Sequence, residues 1–229
     1  ANPDAHLKTT GPEIWQQTKG KVTHVVISMG TGGTITGVGR YLKKKNPKIK
    51  IIGVDPVGSV YLDYFKSGKM PKIFKTYKVE GVGEDFLPKT MDFSVVDDVI
   101  QVSDRDCFLT ARRLASEEGI LAGGSSGMAL FPAGKVAKKL KNGLIVVILP
   151  DSGKNYLTRF YNDDWMRDFG FLNELKYSIK PLLNKKLHLI TIPATSSPQE
   201  AIDIMRKYQI SQLPVVDGKK VVGSICERI

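Results

Sequence analysis

Short apolar runs alternate with amphipathic stretches from residue 1 to about 172. Val22–Met29, Ile51–Val54, Ile120–Ala122 and Ile145–Leu149 are rich in branched aliphatic residues and bounded by polar or glycine clusters, so each is predicted to be a strand. Between them Ile35–Lys45, Arg105–Glu118 and Met128–Lys141 carry a helical period. Strands alternating with helices predict an α/β fold with a mostly parallel sheet, its ligands held at the carboxyl ends of the strands. Pro132 falls well inside the third helix, where the lost hydrogen bond predicts a kink.

The pattern changes after Leu172. Residues 173–186 are polar and basic with Pro181, a linker composition, and 187–229 read as a small β-α-β-β unit. Ser197 is placed to cap its helix, Pro198 suits the first turn, and Ala201, Ile202, Met205 and Ile210 supply an apolar face. Asp217-Gly218 between Leu213–Val216 and Val221–Ile225 predicts a hairpin.

The 229 residues suffice for one sizeable core, or for a domain plus a smaller piece. Lys and Arg exceed Asp and Glu by 34 to 23, a net charge of +11. The lysines gather at helix ends (43–45, 138–141) and in the linker (176–186) without interleaved aromatics, which favours solvated surface over nucleic acid. No apolar run approaches the roughly 20 residues of a membrane span. The opening Ala1-Asn2-Pro3-Asp4 lacks signal-peptide character, and the absent initiator Met points to a chain that starts mid-protein. Cys107 and Cys226 are isolated and His6, His24 and His188 scattered, so a reducing, cytoplasmic setting and no metal are expected.

Candidate chemistry sits at the glycine junctions. Gly30-Thr31-Gly32-Gly33-Thr34 joins the first strand to a helix, whose free amides and positive dipole end offer a phosphate several donors. A tight turn alone would also use glycines here. The nucleoside-triphosphate loop fails, because Gly37 precedes Val38 rather than lysine, and a dinucleotide fingerprint would require glycine where Ile35 stands. Asp55, about 20 residues on, lies where a ribose-binding acid would fall, so a nucleotide-binding Rossmann-like module stays an alternative. Gly123-Gly124-Ser125-Ser126-Gly127 repeats the junction, with Ser125 either an N-cap or a ligand contact. Leu149-Pro150-Asp151-Ser152-Gly153 ends a third strand, and three such loops would border one crevice. Glu80-Gly81-Val82-Gly83-Glu84-Asp85-Phe86 is either a surface turn or a mobile loop beside it.

GTGGTITG, EGVGEDF, AGGSSGMA, LPDSGKNYLTRFYNDDWM and the opening NPDAHLKTTGPEIW together resemble the cystathionine β-synthase and cysteine synthase group. The resemblance spans 1–172 and implies a pyridoxal-phosphate enzyme of the tryptophan-synthase-β fold (fold type II), incomplete here. The tail at 187–229, with Gln212-Leu213-Pro214-Val215-Val216-Asp217, is similar to the first part of a regulatory motif found in the cystathionine β-synthase branch. The resemblance implies that Gly30, Thr31, Gly32, Gly33 and Thr34 hold the cofactor phosphate and that Ser125 meets the pyridine nitrogen. It makes Gly81, Gly83 and Glu84 candidates for a substrate loop, with Glu84 standing where many members carry tyrosine. The implied reaction is β-replacement: serine or O-acetylserine loses its β-substituent and the thiol of homocysteine adds, giving cystathionine. The alternative product is cysteine from O-acetylserine and sulfide.

The implied partners are small amino acids and thiols, with neither nucleic acid nor membrane, and the implied assembly is a homo-oligomer at full length. The family's Schiff-base lysine (Ser-x-Lys-x-Arg) and its Ser/Thr-Gly-Asn loop find no match in these residues. No catalytic residue is therefore assigned, and the chain by itself is expected not to turn over. Ser152-Gly153-Lys154 imitates the lysine motif but follows a late strand. In the tail, Gly223, Cys226 and Ile229 occupy the positions of a Gly-x-x-Thr-x-x-Asp ending, so binding of S-adenosylmethionine or an adenine nucleotide is not expected. A purely regulatory or interaction role is a third reading.

Overall fold

A computed structural model describes residues 2–71, 73–172 and 189–226. The chain divides into two compact units, residues 1–174 and 175–229. The expected linker at 173–186, Leu187 and Ile229 lie outside the described residues.

The first unit runs α1 (Asn2–Lys8), α2 (Thr10–Gln17), β1 (His24–Ser28), α3 (Gly33–Lys45), β2 (Lys50–Pro56), α4 (Tyr61–Ser67), β3 (Asp98–Val102), α5 (Asp104–Glu118), α6 (Gly124–Ala137), β4 (Ile145–Val147) and α7 (Asp163–Asp168). Its four strands form one parallel sheet in the order β3-β2-β1-β4. Side chains alternate across β1: Val25 and Ile27 join a core with Ile35, Val38, Leu42 and Tyr61, whereas Val26 faces Phe108, Met128 and Ala129. Both faces are covered, which is why the strands read as near-continuous apolar runs.

The sequence reading missed β3, and it placed a strand at Ile120–Ala122 that the structure lacks. β3 is only half-buried and is interrupted by Asp98 and Gln101, so it has no clean apolar run; β2 recruits it through pairs such as Gly53 with Val99. The Ile120 triplet lies between the left-handed Gly119 that ends α5 and the Gly123 that starts α6. That span allows one antiparallel bridge, Ala122 with Ser152, and leaves Ile120 and Leu121 exposed. α6 also begins four residues earlier than predicted and stops at Ala137 rather than Lys141, so Ser125 sits inside the first turn and Gly123 is the N-cap.

The second unit contains β5 (Ile192–Pro193), α8 (Pro198–Tyr208), β6 (Gln212–Asp217) and β7 (Lys220–Cys226), with β5 parallel and β7 antiparallel to β6. Ser197 accepts from the Glu200 N–H while the Glu200 side chain accepts from the Ser197 N–H, a reciprocal cap that fixes the helix start. Ala201, Met205, Ile192 and Leu213 form its core with Ile204 and Ile210 against them; Ile202, expected on this face, is 36% exposed because it lies one position off the buried stripe. No described helix is long and apolar enough to cross a membrane.

Candidate functional site

A cleft of about 140 Å³ opens at the carboxyl end of β1. It is lined by the loop from Gly30 to Ile35, by Gly81 and Val82, and by Ile148 and Pro150 after β4. The three strand-end segments expected to share a crevice thus include two that line it directly, and the third is tied in by a hydrogen bond. The Ser28 hydroxyl donates to the Ser125 carbonyl at 2.6 Å, pinning the first turn of α6 to the end of β1.

Some helices here start under a capping side chain, whereas α2 at Thr9, α4 at Val60 and the two glycine-started helices α3 and α6 do not. α5 and α8 begin under serine caps, Ser103 and Ser197. α3 and α6 begin at Gly32 and Gly123, which have no side chain to cap with. In α3 the first amide to find a carbonyl one turn back is that of Thr36, which donates to Gly32 at 3.0 Å. The amides of Gly33, Thr34 and Ile35 precede that turn and are left to an external acceptor.

The glycines also pack closely against neighbouring protein. A Cβ on Gly30 would meet the Gly81 carbonyl oxygen at 2.7 Å, one on Gly33 would meet Asn2 at 2.5 Å, and Gly32 takes φ +85° against Met91. Gly30 and Gly32 are therefore required by neighbouring backbone and by φ, whereas Gly33 meets only the movable amide end of Asn2. Of the two threonines, Thr31 is exposed, whereas the Thr34 hydroxyl lies 3.1 Å from His6 Nε2, whose other ring nitrogen meets Thr10 at 2.9 Å.

Ser125 is 7% exposed, and its hydroxyl has Asp151 Oδ1 at 3.5 Å. Asp151 is held by the Tyr156 hydroxyl, which donates to Oδ2 at 2.7 Å, and its carbonyl accepts from the Gly123 N–H at 3.1 Å. Burial, then the Asp151 carboxylate, pushes the Tyr156 phenol up to about 12, so it remains a donor.

The EGVG loop docks on the same strand end, with the Gly83 N–H donating to the Met29 carbonyl at 2.7 Å. Gly81 lines the cleft. Gly83 is packed behind it against Pro56 and Tyr77, and Glu84 borders a separate surface hollow with Gly58 and Tyr77. Burial, then Asp85, holds the Glu84 carboxyl above its usual range.

Asp55 has no exposed surface and accepts from the Leu62 N–H at 3.1 Å, which removes it from any ribose. Lys154 is exposed, and its N–H donates to the Ser152 hydroxyl in a short turn. Among the described residues no group of three or more His, Cys, Asp or Glu is placed to hold a metal ion. Sequence reasoning missed Ser28, Tyr61 and Thr90, whose hydroxyls bond carbonyls of the two glycine junctions. No local pattern marks them, since each acts on a segment 31 to 97 residues away in the chain.

Residues 1–151 match the family described as pyridoxal-phosphate dependent enzyme, and residues 181–228 match the CBS domain. The chain is 41% identical to the cystathionine beta-synthase of Dictyostelium discoideum, over 98% of this chain and 47% of that protein. The cystathionine beta-synthase of Oryctolagus cuniculus is 44% identical over 95% of this chain and 41% of its own length. The cysteine synthase of Buchnera aphidicola subsp. Schizaphis graminum is 45% identical over 69% of this chain and 50% of its own length. The chain thus spans less than half the length of these two cystathionine beta-synthases. With a parallel sheet, a glycine-started helix opening on the cleft at its strand end, and a match through residue 151, the chain belongs to the pyridoxal-phosphate-dependent enzyme family.

Proposed function

We propose that the cleft takes the phosphate of pyridoxal phosphate on the loop Gly30, Thr31, Gly32, Gly33 and Thr34, with the Ser125 hydroxyl at the pyridine nitrogen. The protein at its full natural length then performs β-replacement, joining serine or O-acetylserine to homocysteine to form cystathionine. The observation that carries this reading is the pair of helix starts without side-chain caps, α3 and α6, brought to one strand end by the bond from Ser28 to Ser125.

The residues fit the group. The amides at the start of α3 have no acceptor within the helix, and the α3 dipole adds a positive potential there. The Ser125 hydroxyl is buried, and at 3.5 Å its contact with Asp151 is longer than a good O–H···O bond, so the hydroxyl is available to a ligand. The chemistry such a cofactor supplies is an electron sink beside the amino-acid Cα. A neutral serine hydroxyl orients the ring nitrogen without holding a proton on it, which restrains that sink and suits elimination at Cβ. Val82, Ile148 and Pro150 add apolar side chains to one wall of the cleft. The described lining carries no lysine, so these residues bind and orient, and no proton transfer at Cα is assigned to them.

The extent of the matches favours cystathionine over cysteine as product. The cystathionine beta-synthases of Dictyostelium and rabbit align over 95–98% of the chain, whereas the cysteine synthase aligns over 69%. Incubation of the full-length protein with serine and homocysteine should release cystathionine. Failure to do so, together with cysteine formation from O-acetylserine and sulfide, would transfer the protein to the cysteine synthase branch. Small amino acids and thiols are the proposed partners, and a homo-oligomer the proposed assembly.

A further inference from the structure

An anion loop fails if its carbonyls turn toward the anion, because each peptide group carries a negative oxygen as well as a positive N–H. In a planar trans peptide the C=O of one residue and the N–H of the next point in opposite directions. Fixing a carbonyl therefore fixes the following amide. The three carbonyls of Gly30, Thr31 and Gly32 are each held. The Tyr61 hydroxyl donates to Gly30 at 2.6 Å, the Thr90 hydroxyl donates to Thr31, and the Thr36 N–H donates to Gly32 at 3.0 Å. The third is ordinary helix geometry, whereas the first two come from side chains outside the loop.

Both side chains are themselves braced. Tyr61 has no exposed surface, and its ring meets Phe93 edge-on at 6.0 Å. It opens α4, where the Val60 N–H donates to the Glu84 carbonyl at 3.2 Å and the Leu62 N–H to Asp55. Burial, with the Glu84 and Asp55 charges behind it, raises the Tyr61 phenol far above its usual range, so it stays a donor. The Thr90 carbonyl accepts from the Thr36 hydroxyl at 2.8 Å, and Thr36 is 1% exposed. Neither Tyr61 nor Thr90 lines the cleft.

We propose that Tyr61 and Thr90 are positioning residues for the anion loop: by holding the Gly30 and Thr31 carbonyls away from the cleft they aim the Thr31 and Gly32 amides into it. The inference rests on the phosphate reading above. It adds that loop geometry is set by two hydroxyls lying 31 and 59 residues further along the chain.

The test compares full-length wild type with Tyr61→Phe, Thr90→Val and a control, Thr18→Val, which removes a hydroxyl-to-carbonyl bond of 2.7 Å to Ile14 far from the loop. Inorganic phosphate and pyridoxal phosphate are titrated separately, and the phosphorus-31 shift of the bound phosphate is recorded. Tyr61→Phe and Thr90→Val should each weaken both ligands about three- to tenfold, the reach of one hydrogen bond, and move the phosphorus signal. The control should change neither, even where it lowers the melting temperature. Thr90→Val serves as the second variant should Tyr61→Phe fold poorly. Wild-type affinity and phosphorus shift in both variants overturn the inference. Phosphate binding that weakens as expected, in a protein that takes up no pyridoxal phosphate, supports the inference and sinks only the cofactor reading. A wild type that binds neither sinks both.

Discussion

Asp55 ends β2 inside the protein, with Oδ2 on the Leu62 N–H and Oδ1 without a hydrogen-bond partner. Burial lifts its carboxyl from 3.8 up to about 6, outweighing hydrogen bonds from Ser59, Leu62 and Gln101 that pull the other way. The folded state therefore binds this proton more tightly than the unfolded chain. The stability so gained is fully present below about pH 4 and is lost as the pH rises through about 6, at a cost of up to ~3 kcal/mol. Asp55→Asn keeps an acceptor for Leu62 and removes the charge, so it should flatten this part of the stability profile and stabilise the protein at pH 7. Urea unfolding at a series of pH values checks it; parallel profiles for the two proteins would refute the assignment. The sequence located an acid at a strand end correctly. Its burial was not legible, because that depends on α4 and β3 closing over it from later in the chain.

At the scale of elements, glycine in a helix separates propensity from packing. Gly134 in α6 has open space where a Cβ would go, so Gly134→Ala should stabilise by about 0.5–1 kcal/mol. Gly37 in α3 faces α1, where a Cβ would sit 2.3 Å from the Pro3 carbonyl oxygen and 2.6 Å from His6 Cβ. The same propensity gain is available there, yet prying apart two packed helices costs about 1–3 kcal/mol, so Gly37→Ala should destabilise. Thermal and urea unfolding of both variants give the signs, and equal effects would show that helix contact is not what fixes Gly37. Capping was legible: Ser197-Pro198 marked the start of α8 because the groups involved are local, and the structure adds the reciprocal bond to Glu200. β3 was not, because a half-buried strand with Asp98 and Gln101 in it is selected by its partner β2 rather than by its own pattern. Ser125 lay in a junction identified from glycine spacing, but its place in the first turn depended on where α5 ended.

At the scale of the whole molecule the second unit has a small core of its own, formed by Ile192, Ala201, Met205 and Leu213. Leu213 has no exposed surface, and Leu213→Ala should cost about 2–5 kcal/mol, which is comparable to all that so small a core supplies. Hydrogen exchange should then lose protection in β6 and β7 while β1 and β2 keep theirs; loss in all four strands together would mean that the units unfold as one. The strand-glycine-helix junction at Gly30–Thr34, the α/β alternation, the Ser197 cap and the hairpin at Gly218 followed from residues a few positions apart, whose backbone preferences and hydrogen bonds act locally. Only the tertiary structure decided that Ser28 and Ser125 meet, that Asp55 is sealed from the cleft, and that Tyr61 and Thr90 turn the carbonyls of a distant loop. Those outcomes are contacts between segments far apart in the chain, formed when a parallel sheet gathers its strand ends, and no local pattern specifies them.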